Sequence, residues 1–365
     1  MFLDRRMLTN FDWVMAGTTL TVIAVGILTI WSGNLGSPSS YKQSLYIRQA
    51  LWCIVGLFGL VAAAFVNYRH LARFAYPIFG ILLGLLLVVA VAGEVGLGAQ
   101  RWIRVGFLTV QPSEFMKLGL IIFLARYFED RKEQLGNLRL LVTPAIVALV
   151  PIFFVMRQPD LGTAALLGLL TLSFFVLVGL RLKHLLLLGF TGAALTPLIW
   201  SWLKSYQQKR ILAFFSPQYD PLGAGYHIMQ SKIAVGSGEL WGKGLKAASQ
   251  SQLNFLPANH TDFIFAVLAE QWGFIGCLVI LLLYYLLITR GLEIASEAKD
   301  LFGALMAFGI MAMVTLQLLV NGGMVLGIMP VVGVPFPLLS YGGSSLLVIC
   351  IGVGLVINVR IRRFL

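Results

Sequence analysis

Charge is the first thing this sequence lacks. Only 12% of its 365 residues are Asp, Glu, Lys or Arg, against about 25% in a soluble globular domain. Acids are the scarcer sign, 15 against 27 Lys and Arg, which leaves a net charge of +12. A water-facing surface cannot be built at that density, so a soluble domain is excluded. The chain has three cysteines, Cys53, Cys277 and Cys350, all inside apolar runs, and four scattered histidines. Neither set has the spacing of a disulfide framework or a metal motif, so the cysteines read as packing residues. Polar–apolar alternation is missing as well, which excludes a transmembrane barrel. No internal repeat of fixed period and no separable soluble domain stand out.

What is present is length of apolar sequence. Hydrophobic residues make up 59% of the chain and fall in runs of about 20, the length that crosses the hydrocarbon core of a bilayer as a helix. Ten spans are predicted: 12–32, 46–66, 71–92, 112–128, 139–156, 160–180, 184–203, 262–289, 301–326 and 340–359. The fold class is therefore an all-α polytopic integral membrane protein. Arg5 and Arg6 precede a run with no A-x-A-like cleavage site, which reads as a retained first helix. With the N-terminus inside, the cytoplasmic side carries Arg5, Arg6, Arg69, Arg73, Arg126, Arg131, Lys132, Arg139, Arg181, Lys183, Arg290, Lys299, Arg360, Arg362 and Arg363. The short outer loops carry Lys42, Arg48, Arg101, Arg104 and Arg157. Fifteen against five places both termini in the cytoplasm. Basic residues set between apolar runs suit topology and anionic lipid, not nucleic acid. Trp31 and Trp200 fit interface anchors.

Residues 204–261 leave the hydrocarbon as a long outer loop. It is basic, with Lys204, Lys209, Arg210, Lys232, Lys243 and Lys246 against Asp220 and Glu239. A connection of that length is usually functional, and its charge suits a negatively charged partner. Within it, 226–235 (YHIMQSKIAV) is predicted as an amphipathic helix on the membrane surface.

Acids at membrane depth are costly and each is a functional candidate: Glu94, Glu114, Asp160, Asp262 and Glu270. Glu114 and Lys117 share a helix face, either as a structural ion pair or as part of a cavity wall, with Gln111 or Ser113 as helix cap. Asp160 reads as a helix-start acid with Arg157 beside it as partner. Asp262, beside His260, is predicted in the first turn of a helix capped by Thr261 or Asn259. It is either a dipole-favoured acid or a partly desolvated carboxylate able to act as a base. Arg101 and Trp102, in an outer loop (GAQRWIRVG), are either an interfacial anchor or a cation beside an aromatic face for phosphate or sugar. The stretch 330–345 (PVVGVPFPLLSYGGSS) is irregular at membrane depth and must line protein or a cavity. Ser340, Gly342 and Gly343 are its candidates, the glycines for close backbone approach to a ligand.

Across most of the chain, GAQRW, QPSE with Lys117, QPDLGT, GAGYHIMQSKIAVGSGELWGKGL, SQSQL, HTDFIFAVLAE and PFPLLSYGGSS resemble the SEDS family of peptidoglycan polymerases, in its elongation-type branch. The resemblance implies ten helices in a bacterial inner membrane, a large outer loop before the eighth, and a cavity open to the extracytoplasmic leaflet. It implies polymerisation of lipid II into β-1,4 glycan strands beside a class B penicillin-binding protein and the elongation machinery. It places the catalytic aspartate on Asp262. It makes Arg101, Trp102, Gln111, Glu114, Lys117 and Asp160 cavity-lining residues. Two departures stand out: Asn254 and Ala258 replace acids of a common L-E-F-L-P-E stretch, and Gln271 replaces the second acid of AEE.

The implied reaction suits the residues. A sugar hydroxyl needs one base, and a diphosphate leaves without a paired general acid, unlike in glycosidases. The leaving group needs positive charge, from Arg48, Arg101, Lys117, Arg210, Lys243 and Lys246 or from a divalent ion, Mg or Mn, bridging its oxygens. Two other readings remain open: a flippase of the same lipid, which predicts flux without polymer, and a non-catalytic scaffold, which predicts an inert Asp262→Asn.

Overall fold

Backbone amides in hydrocarbon have no water to bond, so a continuous apolar run satisfies them only as a helix. The computed structural model describes residues 7–363 except 8, 37–38, 93, 97–98, 106–107, 181–182, 185–189, 191–193, 195, 203–204, 217, 219, 221–222, 246–247, 253–254 and 257. In chain order its main elements are α1 (Trp13–Gly33), α2 (Leu45–Phe65), α3 (Tyr68–Ala92), strands β1 (Glu94–Gly96), β2 (Ala99–Val105) and β3 (Leu108–Val110), α4 (Pro112–Glu129), α5 (Arg139–Arg157), α6 (Leu161–Leu177), α7 (Thr196–Trp202), α8 (Ser205–Phe215), α9 (Ala224–Ser237), α10 (Ile264–Ser296), α11 (Leu301–Val325) and α12 (Gly343–Arg363). Among the described residues seven helices are long and apolar enough to cross a membrane, and α6 is a shorter apolar one. Of the expected span 184–203, α7 is helical and most of the rest lies outside the described residues, as do Arg5, Arg6, Arg181, Lys204, Lys246 and Asn254.

The centre is made by α4 and α12, buried along most of their lengths. α2, α3, α5 and α10 turn large apolar side chains outward, Phe58, Ile81, Ile146 and Phe274 among them, as helices facing lipid do. α12 lies along α2 at a separation that only small residues permit: a Cβ on Gly354 would stand 2.3 Å from the Leu60 carbonyl oxygen. Gly354→Val should force the pair apart, at a cost of about 1–3 kcal/mol, read as a lower thermal midpoint in detergent.

The two ends of the bundle differ. At one end Asp12 caps α1, accepting from Met15 N at 2.9 Å, and binds Arg290 at the far end of α10 (3.0 Å) and Arg360 of α12. Nearby, the Asn358 amide donates to the carbonyls of Ala64 (2.6 Å) and Val66 (2.7 Å). At the other end lie the irregular segments. The strands Glu94–Gly96, Ala99–Val105 and Leu108–Val110, in a stretch expected only as an outer loop around Arg101 and Trp102, form an antiparallel sheet in the order β1-β2-β3, with Glu94 opposite Trp102 and Arg104 opposite Thr109. Two of its strands have three residues each, too few for alternation to register in sequence. α9 confirms the helix expected over 226–235, packed on α10 and α11. α10 is broken at Gly273 (φ 65°, ψ −164°).

Candidate active site

Asp262 sits in a turn just before α10, not in its first helical turn. Ala258, at φ 52°, is in the left-handed region that disfavours a side chain. From there its carbonyl accepts from Thr261 N (3.1 Å) and Phe263 N (3.4 Å). Phe263 stands at the cap position and no side chain caps the helix. The expected caps bond elsewhere, the Thr261 hydroxyl donating back to Ala258 O (3.4 Å). The Asn259 amide donates to the Gly33 carbonyl (3.3 Å), and the Thr261 carbonyl accepts from the Ser340 hydroxyl (2.6 Å). The segment after α11 is laced to this turn. The buried Asn321 amide donates both to the Asp262 carbonyl (2.8 Å) and to Val334 O (2.6 Å). Tyr341 N donates to His260 O (2.8 Å), and Ser340 Oγ also accepts from Phe336 N (2.8 Å).

This lacing points the half-buried Asp262 carboxylate at Arg210 of α8. The Arg210 guanidinium donates to Val331 O (3.3 Å). Both groups lie over Gly333, whose φ is 76°. A Cβ there would stand 3.5 Å from Asp262 Oδ2 and 3.8 Å from Arg210 Nη1. Burial pushes the Asp262 carboxyl up to about 6; Asp160 adds to the rise, while Arg210, the Thr261 hydroxyl and Arg101 oppose it. A base must be ionised to accept a proton. Activity that depends on Asp262 is therefore full above this value and should fall about tenfold per pH unit below about 6, measured as initial rate against pH.

A second, fully engaged carboxylate stands near it. Asp160 is buried at the start of α6 and accepts from Thr163 N (3.2 Å), Thr163 Oγ1 (3.0 Å) and the Gln111 amide (3.1 Å). Its charged partner is Arg101 of β2, at 3.8 Å, not Arg157, which lies over the Phe153 ring. The sheet explains the exchange, because it carries Arg101 to the carbonyls of Gln158 (2.8 Å) and Pro159. Burial pushes the Asp160 carboxyl upward against the pull of Arg101. Gln111 occupies the cap position of α4 without capping it; its side chain goes to Asp160 and Ser113, and its backbone N–H to Ser344 Oγ (3.0 Å). Glu114 and Lys117 form a fully buried pair at 2.8 Å, each making the other's burial tolerable, with the Glu114 charge also acting on Asp160.

Other sequence candidates are spread around this cluster. His260 is pushed down to about 4 by burial and by Lys42. It is therefore neutral at pH 7, with its ring against Tyr341 at 5.8 Å. Arg48 lies over the Tyr41 ring at 4.7 Å, and Tyr41 and Arg48 both reach Tyr341. Trp102 is half-buried in β2. Lys243 is engaged elsewhere, at 3.4 Å from the buried Glu270. Gly342 N donates to Gln49 Oε1 (3.3 Å). Gly343 faces Trp52, whose indole would lie 2.0 Å from a Cβ, so helix packing, not a ligand, demands that glycine. Gly333, Asn321, Gln49 and Tyr341 went unnoticed in the sequence. An Asn and a Gln inside apolar helices were the available signals.

Seven membrane-length apolar helices among the described residues, with a polar cluster at one end, define a multi-pass membrane protein. The family follows from comparison with known proteins: the chain belongs to the family of FtsW, RodA and SpoVE, described as "Cell cycle protein", whose family model matches residues 12–363. Peptidoglycan glycosyltransferase MrdB of Escherichia coli strain K12 is 40% identical over 356 residues, covering 97% of this chain and 96% of that protein. A chain in the structure "Structural coordination of polymerization and crosslinking by a peptidoglycan synthase complex" has a TM-score of 0.83 at 34% identity, covering 97% of this chain and 98% of that one. The rod shape determining protein RodA of Thermus thermophilus has a TM-score of 0.72 at 31% identity, with 97% and 98% covered.

Proposed function

We infer that this chain is a RodA-type peptidoglycan glycosyltransferase that joins lipid II units into β-1,4 glycan strands, with Asp262 as the general base. The observation that carries the reading is the Asp262 carboxylate over Gly333, half-buried, raised to about 6 and faced by Arg210. Ionised at pH 7 yet close to neutrality, such a group can take a proton from an attacking hydroxyl. The acceptor sugar oxygen bonds to the donor's anomeric carbon as the bond from that carbon to the diphosphate oxygen breaks. The hydroxyl proton passes to Asp262 and undecaprenyl diphosphate departs. One inverting displacement needs one carboxylate, and Asp160, held by three donors and Arg101, is left to orient Arg101 and Gln111. Arg210 and Arg101 supply positive charge for the diphosphate; a divalent ion, Mg or Mn, is the other source.

The described helices suit ten spans in one domain, both termini cytoplasmic, the loop 204–261 and Asp262 on the extracytoplasmic side of a bacterial inner membrane. A class B penicillin-binding protein as partner is supported by the likeness to a chain of a peptidoglycan synthase complex. The test is purified protein in liposomes with labelled lipid II, with and without that partner and EDTA, and glycan strands resolved on a gel. Strands are expected. Lipid II crossing the bilayer with no strand formed would replace the polymerase with a flippase.

A further inference from the structure

The break in α10 is filled from outside the helix. In an unbroken helix the carbonyls of Glu270 and Gln271 would accept from the amides of Phe274 and Ile275, four residues on. Here they accept from Lys243 N (2.9 Å) and Gly244 N (3.0 Å), while Phe274 N and Ile275 N donate to the carbonyls of Glu239 (2.8 Å) and Leu240 (3.2 Å). Two orphaned acceptors and two orphaned donors are thus all satisfied by residues 239–244. The backbones approach so closely that only glycine fits. A Cβ on Gly238 would stand 2.0 Å from Ala269 O, one on Gly242 2.2 Å from Gln271 O, and one on Gly273 2.3 Å from Gly242 N. Gly242 (φ 78°) and Gly273 (φ 65°) also hold backbone angles that side chains resist. A half-buried ion pair closes the weave: Glu270, with no exposed surface, meets the partly exposed Lys243 at 3.4 Å and accepts from Gln250 N at 2.9 Å.

The short leading half of α10, residues 264–272, begins two residues after Asp262, and at its far end the carbonyls of Glu270 and Gln271 are held by the loop instead of by the long half. The Asp262 turn is fixed from one side by Asn321 and Ser340. On its other side stands this half-helix, whose end is held by the loop. We propose that residues 238–244, locked by Lys243 and Glu270, form a clamp that positions Asp262, and that Gly242, Lys243 and Glu270 are positioning residues for the transfer. The proposal rests on Asp262 being the base. It accounts for the GSGELWGKGL stretch, which the reaction itself leaves without a role.

The test varies lipid II concentration in the polymerisation assay. Gly242→Ala, which cannot keep the weave, should insert in the membrane and lower kcat at least about tenfold, since small misplacements of reacting groups cost that much or more; KM should stay within about twofold. Lys243→Met/Glu270→Gln, which strands no buried charge, should show the same split, and Lys243→Arg should restore most of kcat. If Gly242→Ala fails to insert, the double variant decides. Wild-type kcat in the double variant would overturn the clamp. A raised KM with unchanged kcat would overturn it too, by putting Lys243 on the substrate. Asp262→Asn in the same assay tests the base separately. An active Asp262→Asn removes the base reading whatever the loop variants do; an inactive one beside wild-type loop variants removes only the clamp.

Discussion

Asp262→Asn is expected to abolish strand formation, by at least about 10²-fold in kcat, while the protein folds and inserts as before. Asparagine has the same shape, and the tie from Asn321 goes to the backbone carbonyl of residue 262, so the turn survives. The sign of the accompanying stability change follows from the raised pKa. Folding disfavours the ionised Asp262 carboxylate, since its value rises from 3.8 to about 6. At pH 7 the wild-type protein therefore bears a destabilising charge, and the amide variant should unfold at no lower temperature than wild type. Glycan gels and thermal unfolding in detergent read the two effects independently. A variant that still makes long strands would remove Asp262 from the chemistry.

Arg210→Ala should produce the second-largest loss, about 10²-fold in kcat/KM, the scale on which a single pre-aimed charge-stabilising group acts. The substitution has a second consequence of definite sign. Arg210 is the strongest influence holding the Asp262 value down. Without it the value rises above about 6, and the acid limb of the rate–pH profile moves towards neutral pH. Part of the loss at pH 7 should then be recovered at pH 8 to 9. Arg210→Lys, which keeps the charge but not the fork that reaches Val331 O, should hold the acid limb near its wild-type position while restoring only part of the rate. A profile unmoved in Arg210→Ala would show that the guanidinium does not face the reacting carboxylate.

Much of the fold was legible because bilayer thickness turns hydropathy into geometry. Runs such as 301–326 and 139–156 became helices within a few residues of their expected limits. Acids stood out for the same reason: Asp160 and Asp262, each at the edge of an apolar run, share one end of the bundle with Arg101, Gln111 and Arg210. What could not be read depended on backbone meeting backbone. The run AVLAEQWGFIG carries good helix formers up to Gly273 and apolar residues after it, and reads as one helix, because an isolated glycine costs a helix only about 1 kcal/mol. Only the chain threaded beside it shows that the helix stops there. The partner of Asp160 was misread for a related reason: Arg157 is three residues away in sequence, but a turn and a three-stranded sheet bring Arg101 nearer. Gly333 has no signature at all, since its role is to leave a space that two charged side chains use.

The buckle formed by Asp12, Arg290 and Arg360 has a consequence for biosynthesis. Asp12 leaves the ribosome 348 residues ahead of Arg360. α1 therefore waits until α12 has been made before its anchoring acid meets both of its guanidinium partners. Until then the chain is open along the seam that α12 fills beside α2, and it is the arrival of α12 that buckles the bundle.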